Sequence, residues 1–366
     1  MPEKKFKIIL AGGGTGGHII PAIAVADEII RRGGSVRFVG TKGRIEERLV
    51  PKAGYGLDFI KVRPLAGGGA GRKIAGLGSI PLSLIKSATL LKKLNPDAVI
   101  GVGGYVAGPV VMAARMMGIK TALLEQNATI GLANKLLKRT VHRAFVSYES
   151  TLDEFSAGRA VYTGNPVKQS IIDAAAKKRV LNKNRTSQKA VNILVMGGSQ
   201  GAKSVDEKVP AAMYETALGS SVKILHQGQK ENLDRALKVY KEAGIDAEVT
   251  PFIDDTAEAF LNADLIIARS GATTVSELTV MGLPAIFLPY PHHKDNQQYK
   301  NAVPMQKAGG AIVIDEKTEG ILELSQAVLK FVREPEFFKN AQEASLQLGR
   351  PEAASDIVDG LQELIG

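Results

Sequence analysis

The chain has 366 residues, more than one ordinary core accommodates, and 45% of them are hydrophobic, so two globular domains are expected. It contains no cysteine, which excludes disulfides and thiolate chemistry and fits a reducing compartment. The formal charge of +10 is uneven: residues 1–165 carry 24 Lys/Arg against 11 Asp/Glu, and residues 166–366 carry 23 against 26.

The opening "MPEKKFKIILAGGG" is basic, but its apolar run is one strand long, so no signal peptide is expected. No window approaches the roughly 18 apolar residues of a membrane span. Apolar runs "KIILA", "VRFVG", "DAVIGV" and "TALLE" are each followed by a turn and an amphipathic stretch, the pattern of a parallel sheet with helices on both faces. The first turn, "GGGTGGH", fits G-x-G-x-x-G through Gly12, Gly14 and Gly17. A dinucleotide site also needs an acid at the end of the second strand, about 20 residues on, to hold the ribose. No Asp or Glu occurs between Glu28 and Glu46, so the NAD expectation fails there. The physical property of the turn survives: successive backbone N–H groups before a helix form an anion site. His18 starts that helix, and a neutral imidazole there can accept a proton, or simply bond to the turn.

Residues 64–94 break the alternation with a glycine-rich part followed by a helical spacing at Ile80 and Leu84. Seven basic residues and no acid lie between Asp58 and Asp97. Such a field suits phosphates, nucleic acid or an anionic lipid surface, or serves solubility alone. A second glycine turn, "GVGGYVAGP", places Gly103 and Gly104 after a strand. Residues 177–189, "KKRVLNKNRTSQK", are polar, basic and linker-like. Beyond them "VNILVMGGSQGAKSV" repeats the opening strand, glycine turn and helix, and strands follow at "VKILH", "AEVTP", "ADLIIA", "PAIFLP" and "GAIVI". Two similar α/β domains are therefore expected. The glycines of these turns either cradle phosphates or merely permit tight corners.

In the second half, "RSGATT" follows a strand and opens a helix on which Glu277 could accept hydrogen bonds from a ribose diol, or stand as an ordinary early-turn glutamate. "PYPHHKDNQQYKNA" gathers amides suited to sugar hydroxyls. His292 and His293 are adjacent and lack a third ligand, so no metal is expected. Residues 351–366 are amphipathic and suited to packing back on the first domain.

The stretches "GGGTGGHIIPAIAVA", "GVGGYVAGPVVMAA", "LEQNATIGLANKLL", "TGNPV", "MGGSQGAKSV", "RSGATTVSEL", "GLPAIFLPYP" and "DNQQYKNA", in this order, make the chain resemble the MurG family of glycosyltransferase family 28. The resemblance implies a GT-B fold, α/β, with two Rossmann-like, doubly wound parallel-sheet domains facing across a cleft. It divides the chain into an acceptor- and membrane-binding domain at 1–166, a UDP-GlcNAc domain at 167–348, and a returning helix at 349–366. It implies donor contacts from Ser199 at the phosphates, Ile253 at the uracil, Ala272, Thr273 and Thr274 of the "SGATT" run, Glu277 at the ribose, and Gln297 and Gln298 at the sugar. Asn127, Thr15, Gly16 and Gly17 are implied at the sugar from the first domain. The acceptor pyrophosphate is assigned to Gly14, Thr15, Gly16, Gly17, Gly103, Gly104 and Tyr105. After "GNPV" the family commonly has Arg; here Lys168 puts a point charge where a planar fork would stand. "PHHKD" carries an extra residue relative to some members.

The implied activity is inverting transfer of GlcNAc from UDP to the 4-hydroxyl of MurNAc in undecaprenyl-pyrophosphoryl-MurNAc-pentapeptide, with no cofactor and no metal. His18 is the candidate base, and helix N-termini near Ser199 and Ala272 offset the charge of the departing diphosphate. The expected partners are the two substrates, an anionic membrane surface and other cell-wall synthesis proteins, without nucleic acid. The expected place is the cytoplasmic face of the bacterial plasma membrane, held peripherally by Arg72, Lys73, Ile74, Leu77, Ile80, Leu84, Ile85 and Lys86, with Leu82, Lys92 and Lys93 beside them. A related lipid glycosyltransferase is one alternative, disfavoured by "EQN" and "GGY". A silent UDP-sugar sensor is another, disfavoured by Asn127, Glu277, Gln297 and His18.

Overall fold

The computed structural model describes residues 6–62, 80–183, 190–198, 201–293 and 295–366. The chain forms two compact units, Met1–Lys168 with Glu352–Gly366, and Gln169–Pro351.

In the first unit the strands are β1 (Lys7–Gly12), β2 (Ser35–Gly40), β3 (Leu57–Phe59), β4 (Ala98–Gly103), β5 (Lys120–Glu125), β6 (Arg143–Val146) and β7 (Ala160–Tyr162). They pair in parallel in the order β3-β2-β1-β4-β5-β6-β7. The helices are α1 (Gly16–Arg31), α2 (Glu46–Lys52), α3 (Ile80–Leu94), α4 (Ala107–Met116) and α5 (Leu132–Leu137). β1 explains why its run is apolar throughout. Ile8 and Leu10 pack with Ile19, Ile23 and Ile29 of α1 on one face. Ile9 and Ala11 pack with Leu91 of α3 and Val110 of α4 on the other. A strand covered on both faces needs no polar alternation.

The second unit repeats the plan with β8 (Val191–Met196), β9 (Val222–Gln227), β10 (Asp246–Thr250), β11 (Leu265–Ala268), β12 (Ala285–Phe287) and β13 (Ala311–Val313), parallel in the order β10-β9-β8-β11-β12-β13. Its helices are α6 (Gln169–Lys183), α7 (Lys203–Thr216), α8 (Leu233–Glu242), α9 (Thr256–Asn262), α10 (Ala272–Met281), α11 (Gln297–Lys307), α12 (Ile321–Arg333) and α13 (Pro335–Gln347). Ile193 and Val195 pack with Val205, Val209 and Met213 of α7 and Val328 of α12 on one face. On the other lies α6, beside α9 and α10.

The linker expected at residues 177–189 is corrected in part: residues 177–183 are the end of α6, and residues 184–189 lie outside the described residues. The composition is polar, but Ile171, Ala174, Ala175 and Lys178 recur on one buried stripe. Lys178 is turned inward, where its ammonium donates to the Leu261 carbonyl at 2.9 Å and to that of Ala263, so it closes the end of α9.

The chain ends on α14 (Ala353–Ile365), which belongs to the first unit. Ile357, Val358 and Leu361 enter the core beside α1. Gly360 lets the helix touch the sheet: a Cβ there would stand 2.6 Å from the Phe145 ring. Arg143 donates to the Gly360 carbonyl at 2.9 Å, and Arg32 to Ser355 Oγ at 2.7 Å. Each buried aliphatic side chain is worth roughly 1.5–3 kcal/mol, against about 0–1 kcal/mol for the outlying Arg143–Glu363 ion pair, so apolar packing docks this helix.

Candidate active site

Each sheet has one place where neighbouring strands connect in opposite directions, and ligands bind outside the strand ends there. In the first unit that place lies between β1 and β4, in the second between β8 and β11. The glycine turns of the sequence leave these same strands.

At the first switch point the two turns interlock. Gly13 N–H donates to the Gly103 carbonyl at 3.2 Å. A Cβ on Gly12 would stand 2.4 Å from the Gly103 oxygen, and one on Gly104 would stand 2.4 Å from the Gly13 oxygen. Gly103 and Gly104 also adopt φ of +103° and +79°, which L side chains rarely tolerate. Tyr105 follows, exposed. Thr15 caps α1 without a side-chain cap bond, and the first donors of a helix, here on Gly16 and Gly17, have no intrahelical acceptor. Gly14 differs. Its N–H donates to Glu46 Oε2 at 2.9 Å, so this member of the proposed pyrophosphate set is already engaged.

Glu46 is the first residue that sequence reasoning missed. It is fully buried, and its other oxygen accepts from Thr41 N–H at 3.0 Å. The signal was present: it is the first acid after β2, the element whose end was searched for a ribose ligand. It lies five residues beyond Thr41, opens α2 and turns inward beneath the glycines. It serves its own backbone.

His18 stands on the first turn of α1, half-buried. Its Nδ1 lies 3.1 Å from the Gly13 carbonyl oxygen and 3.3 Å from Thr15 Oγ1. A carbonyl only accepts, so in the neutral ring Nδ1 carries the proton and Nε2 keeps the lone pair. The ring is pressed against the second turn: a Cβ on Gly103 would stand 2.9 Å from Nε2. The imidazole is thus oriented from both turns with its basic nitrogen defined.

Asn127 follows β5. Its backbone N–H and side-chain amide meet Glu125 Oε1 at 3.1 and 3.4 Å. Glu125, also missed, is buried, and its Oε2 accepts from Gly131 N–H and Asn134 Nδ2, both at 2.9 Å. Gln126 Nε2 donates to the Val102 carbonyl at 3.1 Å and ties this segment to β4. Lys168 is exposed and is the last residue before α6.

In the second unit Gly197 N–H donates to the Gln227 carbonyl at 3.2 Å, and Gly198 and Gly201 have φ of +85° and +69°. Ser199 lies outside the described residues. α10 begins at Ala272, capped by Gly271 without a side-chain bond, so its first N–H groups point past β11. Thr273 Oγ1 is buried with no protein partner among the described residues. Thr274 is half-buried and Glu277 is buried on the same helix. The α11 start joins this turn: Ser270 Oγ donates to the Gln298 carbonyl at 2.8 Å, and Gln298 Oε1 accepts from Tyr290 N–H at 2.8 Å. Gln297 is half-buried beside it. Ile253 is half-buried after β10. His292 and His293 stack edge-on to Tyr290, with centroids 5.4 and 5.1 Å away.

Arg269, missed by the sequence reading, ties these loops together. It is buried, donates to the Leu288 carbonyl and to Ser204 Oγ, both at 2.6 Å, and pairs with Glu316. Lys208 reaches the other Glu316 oxygen at 3.2 Å. Burial alone would raise the Glu316 pKa; the hydrogen bond and charge of Arg269, then Lys208, outweigh it and hold the carboxyl below the usual carboxylate range. Two cations thus share the single Glu316 carboxylate, which leaves a net positive charge beneath the turn beside the backbone N–H groups.

On the first unit's outer surface, Leu82 and Ile85 of α3 are exposed, as are Lys86, Lys92 and Lys93. Leu84 is corrected in part: it is half-buried and packs against the core cluster of Leu91 and Val110. Helical geometry decides this, because Ser83, Ser87 and Leu91 set the inward stripe and Leu84 adjoins it. The side chain of Ile80, and Arg72, Lys73, Ile74 and Leu77 entirely, lie outside the described residues. Met116, Leu132 and Leu136, from α4 and α5 on the same side of the sheet, are exposed and were not foreseen.

Residues 8–146 match the glycosyltransferase family 28 N-terminal domain, and residues 192–357 match its C-terminal domain. A transferase of Myxococcus xanthus is 39% identical over 98% of this chain and 93% of its own length.

The chain belongs to glycosyltransferase family 28.

That family 28 relative is named UDP-N-acetylglucosamine--N-acetylmuramyl-(pentapeptide) pyrophosphoryl-undecaprenol N-acetylglucosamine transferase. A Syntrophus aciditrophicus protein of the same name is 39% identical over 98% of this chain and 99% of its own. Among solved structures, Acinetobacter baumannii MurG superposes with a TM-score of 0.80 at 29% identity, covering 98% of this chain and 99% of that one. The two parallel-sheet units are those of the GT-B class to which family 28 belongs.

Proposed function

We propose that this chain transfers GlcNAc from UDP-GlcNAc to the 4-hydroxyl of MurNAc in undecaprenyl-pyrophosphoryl-MurNAc-pentapeptide, with inversion, turning lipid I into lipid II. The observation that carries this is the 39% identity, over 98% of the chain, to relatives bearing that transferase name. On this reading the residues take the following roles. His18 Nε2 takes the proton of the 4-hydroxyl as its oxygen bonds to the anomeric carbon. The bond from that carbon to the diphosphate oxygen breaks, and UDP leaves with the electron pair. Oriented backbone N–H groups at Ala272 and at the second glycine turn stabilise the departing charge without reorganising. Thr273, Thr274, Glu277, Gln297, Gln298 and Ile253 hold the donor, joined by Ser199, Lys168, Asn127, Thr15, Gly16 and Gly17. The Gly16–Gly17 donors, Gly103, Gly104 and Tyr105 take the acceptor pyrophosphate.

The acceptor carries a polyprenyl chain. Among the described residues no helix is long and apolar enough to cross a membrane. Leu82 and Ile85 beside Lys86, Lys92 and Lys93 support peripheral attachment to an anionic bilayer, on the cytoplasmic face where UDP-sugars are supplied, within reach of other cell-wall synthesis proteins. The test is incubation with radiolabelled UDP-GlcNAc and a lipid I analogue. Label in a lipid product bearing a β-1,4 linkage is expected; label retained in UDP-GlcNAc, or moved to diacylglycerol, would overturn the assignment.

A further inference from the structure

The second unit holds a buried polar chain that the proposed reaction leaves unused. Tyr240 of α8 and His226 at the end of β9 are fully buried, and Asp206 of α7 nearly so. Tyr240 Oη lies 2.8 Å from His226 Nδ1, and His226 Nε2 lies 3.4 Å from Asp206 Oδ1. Asp206 Oδ2 accepts from Gln229 N–H and Asn232 Nδ2, both at 2.9 Å. Donors and acceptors fit in one sense only for a neutral ring. The carboxylate accepts, so Nε2 carries the proton, and Nδ1 accepts from the phenol. Burial pushes the Asp206 pKa up, but the hydrogen bonds from His226, Asn232 and Gln229 outweigh it and hold it below the usual range. Burial, then the charge of Asp206, pushes the Tyr240 phenol well up, which keeps it a donor.

What this chain holds in place is the Gln227–Asn232 loop, and that loop touches both ends of the donor region. Towards the glycine turn, the Gln227 carbonyl accepts from Gly197 N–H at 3.2 Å, and a Cβ on Gly201 would stand 2.4 Å from Gln229 Cγ. Towards the base-contact stretch, Gly228 N–H donates to the Thr250 carbonyl at 3.1 Å and Gln227 Nε2 to that of Pro251 at 3.2 Å, two residues before Ile253. Gly228 itself admits no side chain, since a Cβ would stand 2.5 Å from Asp206 Oδ1. The loop is a common wall between the turn assigned to the diphosphate and the segment assigned to the uracil.

We propose that Asp206, His226 and Tyr240 act as positioning residues that fix the distance between the diphosphate turn and the uracil segment, so that the nucleotide half of the donor binds a preformed site; this rests on the donor assignment above. None of the three touches the donor. Their effect is therefore on donor binding, with acceptor handling unaltered.

The test is UDP calorimetry and steady-state kinetics on the full chain, with thermal unfolding of each variant. Asp206→Asn keeps the shape but loses a charged acceptor, and should weaken UDP binding and raise donor KM about tenfold or more, with acceptor KM within about twofold. Tyr240→Phe removes one hydroxyl, is the milder variant should Asp206→Asn fail to fold, and should raise both donor quantities about threefold. Ser325→Ala controls for generic destabilisation: its buried hydroxyl serves the Ala212 and Ile321 carbonyls, away from the loop, and its loss should lower Tm with unchanged UDP affinity. Folded relay variants that bind UDP as tightly as the parent would overturn the positioning role while leaving the donor site standing. A parent protein that binds no UDP would overturn the donor assignment and the relay together.

Discussion

The two switch points share a plan and differ in where charge is placed. At the first, the buried carboxylate of Glu46 binds the glycine turn directly, taking Gly14 N–H, and the one titratable side chain on the turn, His18, is aimed by the neighbouring carbonyl. At the second, charges pair with each other beneath the turn, Arg269 and Lys208 on Glu316, and Asp206 holds a supporting loop. The same strand-turn-helix unit is thus fitted for two tasks. In the proposed reaction, the oriented imidazole at the first serves bond-making. At the second, paired charges that stay net positive lie under open helix donors, which suits the anionic nucleotide of the proposed donor site.

That division makes graded predictions. His18→Ala should cut kcat by about 10²–10⁴-fold, the usual worth of a general base, while the turns stay folded. Single-turnover rates at saturating acceptor check it; a loss confined to acceptor KM would move His18 from base to pyrophosphate contact. Glu46→Ala strips the acceptor from the part-buried Gly14 and Thr41 N–H groups and should cost about 1–3 kcal/mol of first-unit stability, read as a lowered urea midpoint. Glu277→Ala should weaken UDP binding by about 1.5–3 kcal/mol with Tm little changed, as calorimetry and thermal unfolding would report. Smallest per residue is the membrane term. Replacing Lys86, Lys92 and Lys93 by Glu should remove about 1 kcal/mol or more of attachment at each position, abolishing co-sedimentation with anionic liposomes while transfer to a short-chain soluble acceptor survives. Undiminished liposome binding by that variant would put the membrane face elsewhere.

What the sequence made legible follows the range of the interactions. The runs of β1, β4, β5 and β8 and the turns after them are local patterns: a doubly covered strand must be apolar and a corner beside another backbone must be glycine. The anchoring groups are non-local. Glu46 reaches back 32 residues to Gly14, Arg269 reaches 65 to Ser204, and Asp206 reaches 23 to Gln229; nothing near each residue marks it as buried. The linker expectation failed over residues 177–183 for the same reason. Lys178 looks solvated in a string of lysines, and only the carbonyls of Leu261 and Ala263 make it internal. Leu84 erred the other way, since an apolar residue between two exposed ones does not announce which face the helix turns inward.

The division of labour between the two switch points is tested most directly by the UDP dissociation constant of two folded variants, His18→Ala and Glu277→Ala, measured by calorimetry beside the parent. If the first turn serves bond-making and the second holds the nucleotide, His18→Ala binds UDP as the parent does, and Glu277→Ala binds it about tenfold or more weakly. Weakened UDP binding by His18→Ala together with parental affinity in Glu277→Ala would contradict it.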